Sequence, residues 1–291
     1  MSVGLVLEGG GTRGAYTSGV LDVFLEEKIT FPSVYGISAG ACNAVSFVTE
    51  QRGRSFDIFY NYIRDERYLS VASLYRTGSI FGFDFIFGEL FHELIPLDYE
   101  KLFSSPVRLR VGATDLKTGE AVFFDKEEMD DMLVPVRASS SMPFVSPIVS
   151  YMGRELLDGG CAMPIPLAQS LVDGNRLNVV VLTRDPAYRK TAKSDFPRAV
   201  LRVKYGDYPN FVQTMLDRGN VYNAKVELCR VEERLGNAVV VRPRSPLLVS
   251  RYEKDPERLK AIYEIGREDG AAKLAEVRAL LNKDGEENAP A

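Results

Sequence analysis

The chain has 291 residues, of which 45% are hydrophobic and 26% charged, as in soluble globular proteins and unlike disordered, collagen-like or coiled-coil chains. Its 36 basic and 40 acidic side chains give a formal net charge of −4, which argues against a general affinity for nucleic acid. With one histidine (His92) and no tryptophan, the chain lacks the several histidines that most metal hydrolase sites use.

Short apolar runs alternate with segments of helical spacing through the first half of the chain. Because strands are short and apolar when buried, whereas helices repeat every 3.6 residues, the two patterns can be separated. The patterns predict strands at 3–7, 33–37, 107–115 and 121–124, and helices at 15–27, 39–52 and 127–140.

The second half continues the alternation. The sequence predicts strands at 177–183 and 238–241, a helix at 165–172, and two helices within 253–281 that are split near Gly270. Strands alternating with helices predict an α/β fold, a three-layer sandwich around a mostly parallel sheet, with a helical C-terminal extension. We expect a core at 1–185, a C-terminal part of the same domain at 186–282, and a disordered tail at 283–291.

The cysteines and the N-terminus bear on the compartment. Three cysteines cannot all pair, none forms a close-spaced couplet, and the first residues lack the pattern of a secretory signal. The longest charge-free stretch, 29–49, contains Pro32, Gly36 and Gly40, and therefore favours a buried strand, a turn and a helix over a membrane span. We predict a cytoplasmic protein and leave peripheral membrane contact and the oligomeric state open.

A glycine-rich loop follows the first strand: Gly9, Gly10, Gly11, Thr12, Arg13 and Gly14. Converging backbone amides at the start of a helix can hold a phosphate or the oxyanion of an acyl-transfer intermediate. The loop also fits the dinucleotide-binding pattern, which requires an acidic residue at the end of the second strand. The residues there, 35–38, include no carboxylate, so a nucleotide- or phosphate-binding protein is the weaker alternative.

A second motif, G-x-S-x-G, lies at the next junction of strand and helix and consists of residues 36–40. In a nucleophile elbow the serine, here Ser38, adopts a strained conformation that exposes its hydroxyl, and Gly36 and Gly40 relieve the crowding. The run of serines at 139–141 has no such elbow, and we interpret it as the end of a helix before Pro143.

A nucleophilic serine needs a proton acceptor, and the sequence offers two. His92 lies beside an apolar helical stripe, where a surface imidazole is the ordinary interpretation, and it precedes the position that histidine has in α/β-hydrolases. Asp158 begins an Asp-Gly-Gly turn, which by itself is typical of a hairpin.

The three motifs together, in this order, resemble those of the patatin-like phospholipases. That family combines a G-G-G-x-R-G loop, a G-x-S-x-G elbow and a D-G-[GA] turn, and the resemblance extends over about 3–185, including the segments 112–119 and 137–143. It implies that Ser38 attacks an ester carbonyl and that Asp158 accepts the serine proton. It also implies an oxyanion hole of the amides of Gly10 and Gly11, with the amide of Ala39 as a further candidate, and no metal or other cofactor.

The substrate implied by the resemblance is a phospholipid or lysophospholipid. Five phenylalanines between residues 81 and 91 fit either a groove for an acyl chain or a helix packed on the core, and the latter is the simpler interpretation. Seven basic residues between 184 and 204 fit either a solvated face or a patch for anionic headgroups. A regulatory protein that keeps the motifs without turnover remains a third hypothesis.

Overall fold

The computed structural model describes residues 3–191 and 194–287. Its described residues form one sheet, and the strands are β1 (Val3–Leu7), β2 (Ser33–Ile37), β3 (Arg108–Asp115), β4 (Ala121–Asp125), β5 (Val149–Tyr151), β6 (Arg154–Asp158), β7 (Leu177–Val181) and β8 (Ala238–Val241). The helices are α1 (Gly14–Glu26), α2 (Ala39–Val48), α3 (Arg54–Tyr62), α4 (Val71–Thr77), α5 (Phe83–Phe85), α6 (Tyr99–Ser104), α7 (Val134–Ser140), α8 (Leu167–Val172), α9 (Arg198–Tyr205), α10 (Pro209–Arg234) and α11 (Pro256–Glu287).

The sheet is mixed but mostly parallel, as predicted. Strand β1 lies between β2 and β7, and the pairs β1–β2, β1–β7, β2–β3 and β7–β8 are all parallel. The antiparallel pairs are β3–β4, β3–β6 and β5–β6. All residues of β1, β2, β7 and β8 are buried, which is the burial that a parallel sheet covered by helices on both faces requires.

Two predicted helices differ from those observed. The helix expected at 127–140 begins only at Val134, after a short 3₁₀ turn (Lys126–Glu128) whose capping box ends the strand before it. The pair expected at 253–281 is one helix, because Gly270 packs against Val20 of α1 inside a continuous helix. That helix continues to Glu287 and so includes the first residues of the expected disordered tail, whereas 288–291 lie outside the described residues.

The phenylalanine-rich segment is helical but not a regular α-helix. After α5 the chain forms a wider π-type helix, Ile86–Leu94, which contains a kink at Gly88 (φ −94°, ψ −108°). Phe87 and Phe91 are buried in the main hydrophobic core. Among the helices of the described residues, none combines the length and the apolar character needed to cross a bilayer.

The long C-terminal helix α11 packs against α1 with a very short distance between the two backbones. A Cβ on Gly19 would lie 2.1 Å from the carbonyl oxygen of Tyr263, and a Cβ on Gly266 would lie 2.1 Å from that of Tyr16. Next to this crossing the buried Tyr16 hydroxyl donates to Asp269 Oδ2 at 3.1 Å. The two glycines therefore allow the backbones of α1 and α11 to touch.

We expect Gly19→Ala and Gly266→Ala to lower the free energy of unfolding by roughly 1–3 kcal/mol, because each methyl group would force the two helices apart. This loss exceeds the gain of about 1 kcal/mol that alanine brings to a helix interior. Urea unfolding followed by circular dichroism measures the change. Gly270→Ala, whose Cβ would lie 3.2 Å from Val20 Cα, is the graded control with a smaller loss. Wild-type stability in the first two variants would contradict the close crossing.

Candidate active site

The register of two strands on the same edge of β3 brings Ser38 and Asp158 together. Ile37 at the end of β2 pairs with Gly112, and Asp158 at the end of β6 pairs with the next residue, Ala113. Because β4 pairs with both of these β3 residues, it occupies the other edge, and β2 and β6 meet end to end. Residues 120 apart in sequence are thus neighbours in space.

Ser38 has the backbone conformation of a nucleophile elbow. Its φ of 53° and ψ of −123° lie in a region that residues with a side chain rarely adopt, directly before α2. The turn is tight: a Cβ on Gly36 would lie 2.6 Å from Ala41 Cα, and one on Gly40 would lie 2.5 Å from the carbonyl oxygen of Leu7. Both flanking glycines are therefore required by close backbone contacts.

The Ser38 hydroxyl donates directly to Asp158, with 2.9 Å between Oγ and Oδ2. The other carboxylate oxygen, Oδ1, accepts the backbone N–H of Gly160 at 2.7 Å. Asp158 is only 5% exposed, and burial raises its pKa above the ordinary value, against the opposing effects of nearby Arg218 and the Gly160 N–H. This carboxylate is consequently a better proton acceptor than an exposed aspartate.

A second serine, Ser139, supports the elbow. The backbone N–H of Ser38 donates to Ser139 Oγ at 2.8 Å, and the Ser139 hydroxyl donates to the Gly112 carbonyl at 2.5 Å. Ser139 lies in the last turn of α7 and is fully buried. It does close a helix, as interpreted, but sequence reasoning missed its contact with the elbow, because a run of serines does not show which one faces a partner.

The glycine-rich loop lies against Ser38. A Cβ on Gly9 would be 3.1 Å from Ser38 Cβ, and the N–H of Gly9 donates to the carbonyl of Pro164 at 3.4 Å. Within the described part of the chain, the N–H groups of Gly10 and Gly11 have no hydrogen-bond acceptor. Two free donors next to the hydroxyl are the arrangement that an oxyanion hole needs.

Gly14 and Arg13, the last residues of this loop, have different environments. The Gly14 carbonyl accepts Asn43 Nδ2 at 3.1 Å, which ties the start of α1 to α2. Arg13 is 7% exposed, and its buried Nε has no hydrogen-bond partner among the residues that the structure describes. Burial and the nearby Arg184 lower the pKa of Arg13 to about 10.

Ser38 lies at the boundary between two cavities of opposite character. The apolar cavity encloses about 660 Å³, including its open mouth, and is lined by aromatic residues that include Phe59, Phe81, Phe83, Phe87 and Phe91. The polar cavity has a volume of about 540 Å³, again including its open mouth, and is lined by Asp158, the glycine-rich loop and several basic side chains. The phenylalanine segment therefore both packs on the core and borders the space beside Ser38.

His92 is remote from this arrangement. Its exposed ring stacks on Tyr99 with the ring centroids 4.9 Å apart, and Tyr99 Oη lies 3.3 Å from Nε2. No imidazole separates Ser38 from Asp158, since their oxygens are in direct contact. The described residues include no group of three or more histidine, cysteine or acidic side chains placed to hold a metal ion.

Known family models match both the region of Ser38 and Asp158 and the C-terminal part of the chain. The family model described as patatin-like phospholipase matches residues 5–171, and a second, a domain of unknown function (DUF6363), matches residues 208–282. The uncharacterized protein YjjU of Escherichia coli is 30% identical over 195 residues, which is 62% of this chain and 52% of that protein. The uncharacterized NTE family protein Rv1063c of Mycobacterium tuberculosis is 28% identical over 177 residues, 57% of this chain and 44% of its own length.

The chain thus spans about half the length of these curated relatives. A solved structure, VipD from Legionella pneumophila, superimposes with a TM-score of 0.47 at 13% sequence identity, covering 96% of this chain and 67% of that chain.

We expect Ser139→Ala to slow covalent labelling of Ser38 by a fluorophosphonate roughly tenfold or more, since the elbow loses the acceptor for its N–H. Labelling rates measured by intact-protein mass spectrometry test this. Ser140→Ala is the matched control, because Ser140 contacts Cys42 at 3.6 Å rather than the elbow. Equal rates in Ser139→Ala and wild type would show that Ser139 does not position the nucleophile.

Proposed function

The chain belongs to the patatin-like phospholipase family, and we propose that it is a serine acyl hydrolase that cleaves ester-linked fatty acyl chains of phospholipids or lysophospholipids. The observation that carries the proposal is the direct 2.9 Å hydrogen bond from Ser38 to the buried Asp158. This pair lies where an apolar cavity meets a polar one.

In the proposed reaction Ser38 is the nucleophile and Asp158 the general base. As Oγ bonds to the ester carbonyl carbon, its proton passes to Oδ2, and the carbonyl oxygen becomes an oxyanion. The tetrahedral intermediate collapses to an acyl-enzyme when Asp158 returns the proton to the departing alcohol. A water then gives its proton to Asp158, attacks the acyl carbon and releases the fatty acid, after which the proton returns to Ser38.

The Asp158 carboxylate cannot fully deprotonate Ser38 before the attack, because the pKa of a carboxyl group lies far below that of a serine hydroxyl. Proton transfer must therefore accompany the attack, and the oxyanion donors must supply much of the barrier lowering. The free N–H groups of Gly10 and Gly11, together with that of Ala39 at the first turn of α2, support this role. Each such donor contributes on the order of 3 kcal/mol in comparable enzymes.

The two cavities support a lipid substrate. A fatty acyl chain is apolar along its length and gains about 25 cal/mol for each Å² removed from water, which suits the phenylalanine-lined cavity. The leaving alcohol of a phospholipid carries a charged phosphate, which suits the polar cavity. The nucleotide-binding alternative lacks comparable support, since Ser38 rather than a carboxylate follows β2.

We expect Ser38→Ala and Asp158→Asn each to reduce hydrolysis of lysophospholipid at least roughly 10³-fold, because each removes one half of the proton transfer. Fatty acid release over a panel of phospholipids and lysophospholipids measures the activity, with circular dichroism to verify folding. His92→Ala is the control and keeps wild-type turnover. Equal activity in all variants would assign the hydrolysis to a contaminant, and a regulatory protein would show no fluorophosphonate labelling of wild-type Ser38.

The pH dependence of kcat/KM follows from the same assignment. Asp158 must be ionised to accept the proton, so activity falls as the pH drops through its pKa, which burial raises above the ordinary value. We expect one acidic limb, identical in wild type and His92→Ala. A limb that disappears in His92→Ala would identify the imidazole as the base instead.

A further inference from the structure

Five basic side chains line the polar cavity that contains Ser38. They are Arg13, Arg184, Lys190, Arg218 and Arg251, and the carboxylates in the same wall are Glu8 and Asp158. Among these lining groups, five positive and two negative charges leave a formal excess of three positive charges, and Asp195, which pairs with Arg218, lies just outside the lining. Like charges held together in a partly buried space repel one another, so the cavity is electrostatically prepared for an anion.

Most of these cations have no carboxylate partner. Within the described residues only Arg218 forms an ion pair, with Asp195 at 3.3 Å. Arg184 and Lys190 instead lie over the rings of Tyr188 and Tyr222, at 4.2 and 4.8 Å from the ring centroids. Among the described residues, the buried Nε of Arg13 has no hydrogen-bond partner either.

Hydrogen bonds fix the Arg218 guanidinium and the backbones of Arg251 and Lys190. Arg218 of α10 donates from Nε to the carbonyl of Gly160 at 2.9 Å. The carbonyl of Arg251, in the segment between β8 and α11, accepts the N–H of Thr12 at 3.3 Å. The backbone of Lys190 exchanges two hydrogen bonds with the Asn223 side chain, at 3.0 and 2.9 Å. The backbone of this wall is thus anchored at three points, and the Arg218 side chain is fixed directly.

We propose that Lys190, Arg218 and Arg251 form a binding site for a phosphomonoester group, which makes the part of the chain beyond residue 185 the specificity-determining wall of the active site. A phosphomonoester carries close to two negative charges at neutral pH, whereas a phosphodiester carries one and a neutral glyceride none. An excess of three positive charges favours the first of these. Arginine adds paired donors that match phosphate oxygens.

The pKa of Lys190 is consistent with a crowding of positive charge at this site. Burial and the positive charges of Arg218 and Arg251 lower the pKa of Lys190 to about 8, while Asp195 and Glu8 act in the opposite direction. A bound phosphate would offset that repulsion. The phosphate could belong to a lipid headgroup or be free inorganic phosphate, and the site recognises the chemistry that the two share.

As a specificity statement, this inference rests on the proposed function, but binding can be measured without turnover. The experiment uses the full chain with Ser38→Ala and isothermal titration calorimetry, with inorganic phosphate and a monoacylglycerol phosphate below its micelle concentration as two separate ligands. Binding of the lipid identifies a headgroup site, and binding of inorganic phosphate alone identifies a site for the free ion. Absence of binding by both would overturn the proposal.

Variants locate the site. We expect Lys190→Gln and Arg251→Gln, added to Ser38→Ala, to weaken binding roughly tenfold or more each, and Lys190→Arg to restore most of it. Arg198→Gln and Arg202→Gln, which alter exposed basic residues of α9, keep the original affinity. Unchanged affinity in both cavity variants would overturn the proposal.

A kinetic arm separates the failure of this inference from that of the proposed function. In the wild-type chain we expect kcat/KM for monoacylglycerol phosphate to be at least tenfold higher than for monoacylglycerol phosphocholine and for monoacylglycerol. Lys190→Gln should remove this preference. Equal rates on all three lipids would reject the phosphomonoester site and keep the hydrolase. Phosphate binding without any hydrolysis would keep the phosphomonoester site and reject the hydrolase.

Discussion

The edge of β3 is the constraint on which the rest of the site depends. Two strands of opposite direction, β2 and β6, share that edge at consecutive register positions, Gly112 and Ala113. A shift of either strand by one residue would turn its side chains to the other face of the sheet and separate Ser38 from Asp158. Buried hydrogen bonds fix the register further, because Thr114 Oγ1 donates to the Asp158 carbonyl at 2.9 Å and Ser139 links the elbow to Gly112.

Because Ser38 and Asp158, the dyad that we propose, lie where strand ends meet, the surrounding elements decide the environment of both side chains. On one side the kinked helix after α5 contributes phenylalanines to an apolar cavity. On the other side α10 and the segment before α11 contribute Arg218 and Arg251 to a polar one. The match to the patatin-like model ends at residue 171, yet these later residues directly contact the glycine-rich loop and the turn after Asp158. The C-terminal part thereby becomes a wall of the site that we propose rather than an appendage.

Three local sequence patterns did not determine how their residues pack. Gly270 suggests a break between two helices. In the structure it lies inside one helix, where its small size allows close packing against Val20. The phenylalanine segment offers a choice between a core helix and a cavity wall, and it is both, because one face of a kinked helix can pack while its edge borders a cleft. In the basic run after residue 183, Arg184 and Lys190 line the polar cavity, the basic residues of α9 are exposed, and Lys193 lies outside the described residues.

The sequence by itself determined the alternation of strands and helices, the tight turn at 36–40, and the candidate status of Ser38 and Asp158, since periodicity, glycine placement and residue chemistry are local properties. Only the tertiary structure decided that the two oxygens lie 2.9 Å apart, that Ser139 holds the elbow, and that basic residues from four segments surround one cavity. Such arrangements depend on strand register and on long-range packing. In both, residues meet because of the path of the whole chain, and no local pattern encodes that path.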